Sequence, residues 1–355
     1  MPAPRKTARH KLHVRARLIL WVYLIGTLLI LPLPAAIAAD YLDRTAFIPL
    51  RVVIVKVEAR LNDGRLFVGT GVTVKAGIVL TNCHVMTNAE RITVSKRSGR
   101  FEAVAQHDAG HHDLCFLKVP KWRGPAIEIA PSPAPKLRQR AAAIGYTGGV
   151  EISFSEGRIS AIYPYENSYL LQTTSGFSSG ASGGALLDAK ARLIGILTFR
   201  LPGRSGHYYA VPAAWVLEDM PTDNDWQPIG APIINKPFWR GNIETLPYFM
   251  QVAPLQAQKR WADLVALSNR WISDEPLATE PLITKALAYV ELERLDEAVS
   301  SLEAATRTDA RNAQAWFELG RLLKQQGNEA QLTIVRQHLG DLDEALLEEL
   351  NQSRY

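Results

Sequence analysis

"SSGASGGALL" spans Ser178–Leu187. It sets Ser182 among Gly180, Ala181, Gly183 and Gly184, just ahead of an apolar run. Such a stretch is either a flexible turn or a nucleophile held where backbone N–H groups can reach a substrate. The stretch alone does not choose. A serine hydroxyl is a weak nucleophile until a base takes its proton, and a histidine base needs an orienting carboxylate. The decision therefore rests on what stands elsewhere in the chain.

Two upstream stretches supply those groups. "GTGVTVKAGIVLTNCHVM" (69–86) has a glycine-flanked strand, a turn at Lys75–Gly77, and His84 after a second apolar run. "HHDLCFLKV" (111–119) has Asp113 immediately before an apolar strand. Each has an ordinary reading, as a polar strand end or a turn residue. Their order is more specific. His84, then Asp113, then Ser182 is the order of the chymotrypsin arrangement. Gly180-Ala181-Ser182-Gly183-Gly184 also satisfies the G-x-S-x-G elbow of α/β-hydrolases, whose order is serine, acid, histidine. Only His207 and His338 follow Ser182. His207 follows too closely for a further strand and helix, and His338 lies in a helical region, so the elbow reading fails.

The surroundings agree. From about Arg51 to Pro212, short β-branched or apolar runs such as "RVVIVKVEAR", "LFVGTGVTV", "AAAIGY", "SYLLQT" and "RLIGILTF" are separated by Gly, Asn, Asp and Pro. Many short strands with turn signals predict a sandwich or barrels rather than βαβ units. With "GTGV", "VLTNCHV", "HDLCFLKV", "AIGYTGGVEISFSEGRISAI", "LLQTTSGFSSGASGGALLDAKARLIGILTF" and "GHYYAVP" in place, residues 50–215 resemble the trypsin-like serine proteases. The likeness is strongest to the bacterial Do-like (high-temperature-requirement) group.

The resemblance implies a chymotrypsin-like, all-β double β-barrel over 41–220. It implies Ser182 as nucleophile, His84 as general base and then acid, and Asp113 as the carboxylate that holds the imidazole. It implies an oxyanion hole from the N–H groups of Gly180 and Ser182. A specificity pocket is expected from Gly176, Phe177, Thr198, Phe199 and Tyr208. No acid stands near Gly176, so a small or medium apolar side chain is expected there rather than Lys or Arg. No cofactor is implied. Where the Do-like group carries Asn-Pro-Gly-Asn before the serine, this chain has Ser178-Ser179-Gly180-Ala181. Where the group carries a peptide-binding module after the protease, this chain turns helical.

Residues 221–244, with Pro221, Pro228, Pro232 and Pro237, read as a linker. From 245 to 355 apolar residues recur at three- and four-residue spacing. Trp316, Leu319, Gly320 and Leu323 follow the W-x-x-L-G pattern, and Leu282, Lys285, Ala286 and Tyr289 stand 34 residues earlier. Ala298, Leu302 and Ala305 complete that earlier unit. This resembles tetratricopeptide repeats, with units at 243–276, 277–310 and 311–344 and a capping helix over 341–352. Such stacked repeats present concave binding faces, so a protein partner or substrate is expected there.

The formal charge of +5 is concentrated at one end. Arg5, Lys6, Arg9, Lys11, Arg15 and Arg17 precede any acid, and the remainder is close to neutral, at about −1. No basic stripe interleaves with aromatics, which argues against a nucleic-acid partner. The basic head leads into the uncharged "LILWVYLIGTLLILPLPAAIAA" (18–39). Residues 1–40 read as a signal peptide or a retained membrane anchor. Either places the remainder outside the cytoplasm, periplasmic or anchored to the inner membrane, with membrane contact only through this segment if it is not cleaved.

The two cysteines are Cys83 and Cys115. If His84 and Asp113 touch, a disulfide between their neighbours is geometrically allowed; two buried thiols are the alternative. The tract "HDAGHHD" (107–113) has no ordinary zinc spacing and reads as a polar loop delivering Asp113, with no metal. The sequence thus points to an exported serine endopeptidase acting on polypeptides, with helical repeats for a partner or substrate. The alternative is a catalytically idle protease fold whose repeats carry the function; an esterase on the same barrels is a third reading.

Overall fold

Strong β-formers in short runs become two antiparallel sheets, and the change of period after residue 245 becomes helices. The computed structural model describes residues 44–97, 99–131, 135–201 and 207–353. The expected signal or anchor segment, 1–40, lies outside the described residues. Among them no helix is long and apolar enough to cross a membrane.

The first part of the chain gives β1 (Ile54–Leu61), β2 (Leu66–Lys75), β3 (Ile78–Asn82), β4 (Ala89–Lys96), β5 (Gly99–Glu102), β6 (Ala105–Ala109) and β7 (Leu114–Lys118). The second gives β8 (Arg140–Thr147), β9 (Glu151–Tyr165), β10 (Ser168–Thr173), β11 (Ala185–Leu187), β12 (Leu193–Leu201) and β13 (His207–Pro212). A last short strand, β14 (Gln227–Pro228), comes from the proline-rich segment expected to be linker. It pairs with β6.

The second set closes into a barrel in the order β10-β13-β12-β11-β8-β9. The first is an eight-stranded sheet, β14-β6-β7-β3-β2-β1-β4-β5, whose end strands β14 and β5 do not pair, so among the described residues only one of the two expected barrels closes. Its edges are strands of two and four residues, too short to offer a long unpaired ladder. Each sheet wraps its own core. Val55, Val57, Met86, Ile92, Val94, Leu117 and Trp122 fill the first; Ala141, Ile159, Leu171, Leu186, Leu197 and Ala210 fill the second. The two meet where β8 crosses β2. A Cβ on Gly145 would stand 3.0 Å from Ala181 Cβ and 3.1 Å from Thr70 Oγ1.

Seven helices follow: α1 (Tyr248–Ala257), α2 (Trp261–Asp274), α3 (Glu280–Glu291), α4 (Leu295–Thr308), α5 (Ala313–Gln325), α6 (Glu329–Leu342) and α7 (Glu344–Gln352). The turns before α2, α4 and α6 hold Lys259, Glu293 and Gly327 at positive φ, one left-handed residue every 34 positions. The three helices that follow also begin and end 34 residues apart. Small residues lie where helices approach. Ala286 is fully buried, and a Cβ on Gly320 would stand 2.7 Å from Leu350 and 2.9 Å from Val335.

Everything from Thr45 onward belongs to one compact unit, and the helices dock on the barrel through aromatics. Phe249 of α1 stacks on Tyr163 of β9 at 3.8 Å and on Tyr209 of β13 at 5.0 Å. The Tyr163 hydroxyl hydrogen-bonds Glu280 at the start of α3. Burial pushes the Glu280 carboxyl up to about 7, the Tyr163 hydrogen bond opposing and Glu275 adding to the rise.

A carboxyl raised in the fold keeps a proton that the unfolded chain releases. Its contribution to stability is full below the ordinary carboxylate pKa of about 4.5 and is lost as pH rises through about 7. Glu280→Gln imitates the protonated form. The variant is expected to melt higher than wild type at about pH 8 and to lose less Tm between about pH 5 and pH 8. Identical pH dependence of Tm in the two proteins counts against a titrating Glu280 at this junction.

Candidate active site

Asp113 opens β7 after a single 3-10 turn, Gly110–His112. Its backbone is left-handed, φ 60°, and its N–H donates to Gly110 O at 3.0 Å. Aspartate is one of the few non-glycine residues that tolerate this region. The turn drives the side chain inward, where it is fully buried. Oδ1 accepts the His84 backbone N–H at 3.0 Å. Oδ2 lies 2.6 Å from His84 Nδ1 and accepts from Trp239 Nε1 at 3.0 Å. A carboxylate only accepts, so Nδ1 carries the ring proton and Nε2 is left as the basic nitrogen.

His84 sits in a helical turn, Cys83–Met86, that follows β3. The same stretch is tied to Asp113 through the backbone. Asn82 Nδ2 and Cys83 N both donate to Asp113 O, at 2.9 and 3.2 Å. Cys83 and Cys115 form a disulfide with Cα atoms 4.9 Å apart. Of the two states the sequence left open, the structure has the bonded one. The bond joins the residue before His84 to a residue two past Asp113.

Ser182 lies in the loop between β10 and β11. Its carbonyl accepts from Thr70 N at 2.8 Å. Gly69 stands between this loop and the His84 turn: a Cβ there would lie 2.5 Å from Val85 Cγ1 and 3.2 Å from Ser182 O. Gly183 packs against the strand that leads to His84, where a Cβ would meet Thr70 O at 2.2 Å and Asn82 N at 3.0 Å. Among the described residues no hydrogen bond joins the Ser182 hydroxyl to His84.

The loop's amides divide into two sets. Ala181 N donates to Ser178 O at 3.0 Å, Gly183 N to Leu197 O at 2.9 Å, and Gly184 N to Ala181 O at 2.8 Å. Among the described residues the N–H groups of Gly180 and Ser182 have no partner, and neither do those of Gly176, Phe177, Ser178 and Ser179. Gly180 has φ +92°, and a Cβ there would collide with Tyr146 O at 2.4 Å. This is a position only glycine fits. Its carbonyl is held by Thr70 Oγ1 at 2.7 Å, and the same hydroxyl accepts from Tyr146 N at 2.8 Å. Thr70 therefore fixes the orientation of the 180–181 peptide. The sequence showed Thr70 only as the middle of Gly-Thr-Gly; no local signal marks its partner 110 residues away.

The five expected pocket residues do not form one group. Phe177 and Tyr208 pack together with ring centroids 5.1 Å apart. A Cβ on Gly176 would lie 3.4 Å from the Tyr208 ring. Phe199 turns instead toward Tyr209 and Trp239, at 4.9 and 5.5 Å. Thr198 is buried, its hydroxyl 3.4 Å from Asn82 Nδ2.

The histidine tract disperses into separate hydrogen bonds. His112 stacks on Trp215 at 3.9 Å and pairs with Asp219 at 2.7 Å, while His111 pairs with Glu166 at 2.6 Å. Burial works against the charged form of His112, but Asp219 and Glu166 outweigh it and raise its pKa. Cys83, Asp108 and Cys115 lie within ligand distance of one another, but both sulfurs are spent in the disulfide.

Trp239 was missed. It stands in "KPFWRG" (236–241), in the segment read as linker. Nothing in the prolines around it indicates that its indole reaches Asp113.

Comparisons with known proteins bear on the kind of domain and its reaction class. Residues 69–196 match the trypsin-like peptidase domain family. The periplasmic serine endoprotease DegP of Salmonella typhimurium is 33% identical over 162 residues, 42% of this chain and 34% of that protein. The serine endoprotease DegS of Escherichia coli is 33% identical over 138 residues, 37% of this chain and 39% of that protein. The chain thus spans little more than a third of the length of these curated relatives. Among solved structures, the active form of the M. tuberculosis Rv3671c protease aligns with a TM-score of 0.50 at 20% identity. It covers 55% of this chain and 91% of that one. That likeness speaks to the fold alone: a chymotrypsin-like β-barrel protease domain, here followed by helices.

Thr70→Val removes the hydroxyl and leaves the buried Tyr146 N and the half-buried Gly180 O unpaired. The expected cost is about 1–3 kcal/mol of unfolding free energy, with Thr70→Ser recovering most of it. Denaturant titration checks this; a valine variant as stable as wild type removes Thr70 from the account of the loop.

Proposed function

We propose that residues 41–220 are a serine endopeptidase domain that hydrolyses peptide bonds in polypeptide substrates. Ser182 Oγ attacks the carbonyl carbon. His84 Nε2 takes the hydroxyl proton and later passes it to the leaving amine. Asp113 keeps the imidazole in the useful tautomer and stabilises its cation. The N–H groups of Gly180 and Ser182 receive the developing oxyanion. The observation that carries this reading is the coincidence of two features. A buried carboxylate grips His84 Nδ1 at 2.6 Å, and in the adjacent glycine loop the amides on either side of Ala181 are among those left without a partner. Relatives that are serine endoproteases support the reaction class.

The rest of the chain is read in the same light. Relatives named as periplasmic, a disulfide suited to an oxidising compartment and the character of residues 1–40 support export, by signal peptide or anchor. The 34-residue recurrence of helix starts and left-handed turns supports tetratricopeptide-like repeats over 245–355, joined by the 221–244 segment. Stacked repeats of this kind hold protein partners or substrates. Gly176, Phe177 and Tyr208, uncharged and partly aromatic, support preference for an apolar side chain.

A fluorophosphonate probe is expected to label the wild-type protein and not Ser182→Ala. Ser182→Ala, His84→Ala and Asp113→Asn are each expected to lower kcat on a peptide substrate by roughly 10⁴- to 10⁶-fold. A folded wild type that takes no label sinks the proposal and favours an idle scaffold; turnover of esters without amides favours an esterase.

A further inference from the structure

Trp239 belongs to neither sheet and lies outside the residues that match the peptidase family. Its indole nonetheless touches the centre of the site. Nε1 donates to Asp113 Oδ2 at 3.0 Å, the same oxygen that lies 2.6 Å from His84 Nδ1. The ring meets the His84 imidazole edge-on, 5.4 Å between centroids and 89° between planes. It stacks on Phe199 at 5.5 Å, and the Arg240 guanidinium lies 4.7 Å from its centre. Its neighbour Phe238 is buried among Tyr165, Trp215 and Phe199. The 3-10 turn Phe238–Arg240 is thereby pinned to the barrel, and the indole direction is fixed.

We infer that Trp239 is a positioning residue of this active site, contributed by the segment after the barrel. The inference rests on the proposed roles of Ser182, His84 and Asp113. Its chemical basis is the asymmetry of the indole: Nε1–H donates and cannot accept. It therefore holds Oδ2 without competing for the imidazole proton. Asp113 offers its Oδ1 to the His84 backbone and its Oδ2 to two side-chain donors. Removing one of those leaves an acceptor site unfilled in a fully buried carboxylate, and the carboxylate plane loses a restraint. Hydrogen bonds to an ionised group are the strong ones. Edge contact with the imidazole restrains the ring that Asp113 orients.

The test uses the full chain. Trp239→Phe keeps an aromatic ring for Phe199 and His84 and deletes only the donor and the second ring. The second-order rate of fluorophosphonate labelling is measured beside the Tm. It is expected to fall about tenfold, the equivalent of roughly 1.4 kcal/mol. With a peptide substrate, kcat is expected to fall by a similar factor while KM stays within about twofold. Labelling at the wild-type rate in the folded variant overturns the inference and leaves the protease reading standing. A change in KM with unaltered labelling also overturns it, because that is the behaviour of a substrate wall. An unlabelled wild type removes the protease reading itself, and this inference with it.

Should the phenylalanine variant fail to fold, the donor is read in the otherwise intact protein. The chain has eight tryptophans, and ¹⁵N-tryptophan spectra of wild type and Asp113→Asn are compared. One indole N–H resonance is expected to move upfield as the carboxylate charge is lost. An unchanged set of indole resonances overturns the inference.

Discussion

The Asp113 carboxylate is removed from water, and an ionised group in that position costs several kcal/mol unless donors meet it. Three do: the His84 amide, the His84 ring and the Trp239 indole. Each comes from a different requirement of the fold. The amide depends on the helical turn after β3, the ring on that turn's register, and the indole on a segment more than 100 residues later. The left-handed backbone at Asp113 turns the carboxylate toward all three. Its carbonyl is used as well, by Asn82 and Cys83. The disulfide from Cys83 to Cys115 closes the same small volume covalently. His84 is thus held through its backbone, its ring and its preceding residue, which leaves little freedom besides the direction of Nε2.

Against this rigid pair stands a loop whose geometry is decided by steric exclusion. Gly180 and Gly183 both have positive φ and both lie against backbone that a Cβ would strike. A side chain at either would push the loop off β8 or off β2. Thr70 then completes the arrangement from the other sheet, holding the Gly180 carbonyl and donating its own amide to Ser182 O. Rotation of the 180–181 peptide would break the Thr70 bond. The small residues of 178–187 thus serve a loop clamped between two sheets, not a mobile one.

The β-rich and helical parts of the chain were legible because their hydrophobic periods differ, and Cys83 beside His84 and Cys115 near Asp113 made a disulfide one of two readings, the bonded one being found. The 34-residue recurrence was visible in small and aromatic positions before it was visible in helix ends. What escaped reading was long-range and polar. Thr70 looks like any strand threonine, and its value lies in a partner 110 positions away. Trp239 sits among prolines in a stretch without periodicity, where sequence gives no direction to a side chain. For the same reason β14 was invisible: two residues pairing with β6 carry no pattern of their own. Phe199 was expected in a pocket because its strand was right; its facing toward Trp239 depended on a residue not yet in view.

Trp239 also begins a row of rings that leaves the site. It continues through Phe199 and Tyr209 to Phe249 on α1, and Phe249 stacks on Tyr163, which hydrogen-bonds Glu280 on α3. Contiguity by itself is no evidence of coupling. The energetics say what coupling would require. Withdrawing Phe249 from between Tyr163 and Tyr209 exposes an aromatic side chain that buries about 150–250 Å², at a cost of roughly 4 to 6 kcal/mol. A ligand on the helices shifts the row only if it prefers the displaced arrangement by at least that much. Binding that does not discriminate between the two arrangements leaves the row where it is. The helices then stay fixed on the barrel, and under the proposed function a substrate held there would gain from local concentration rather than from a change of shape.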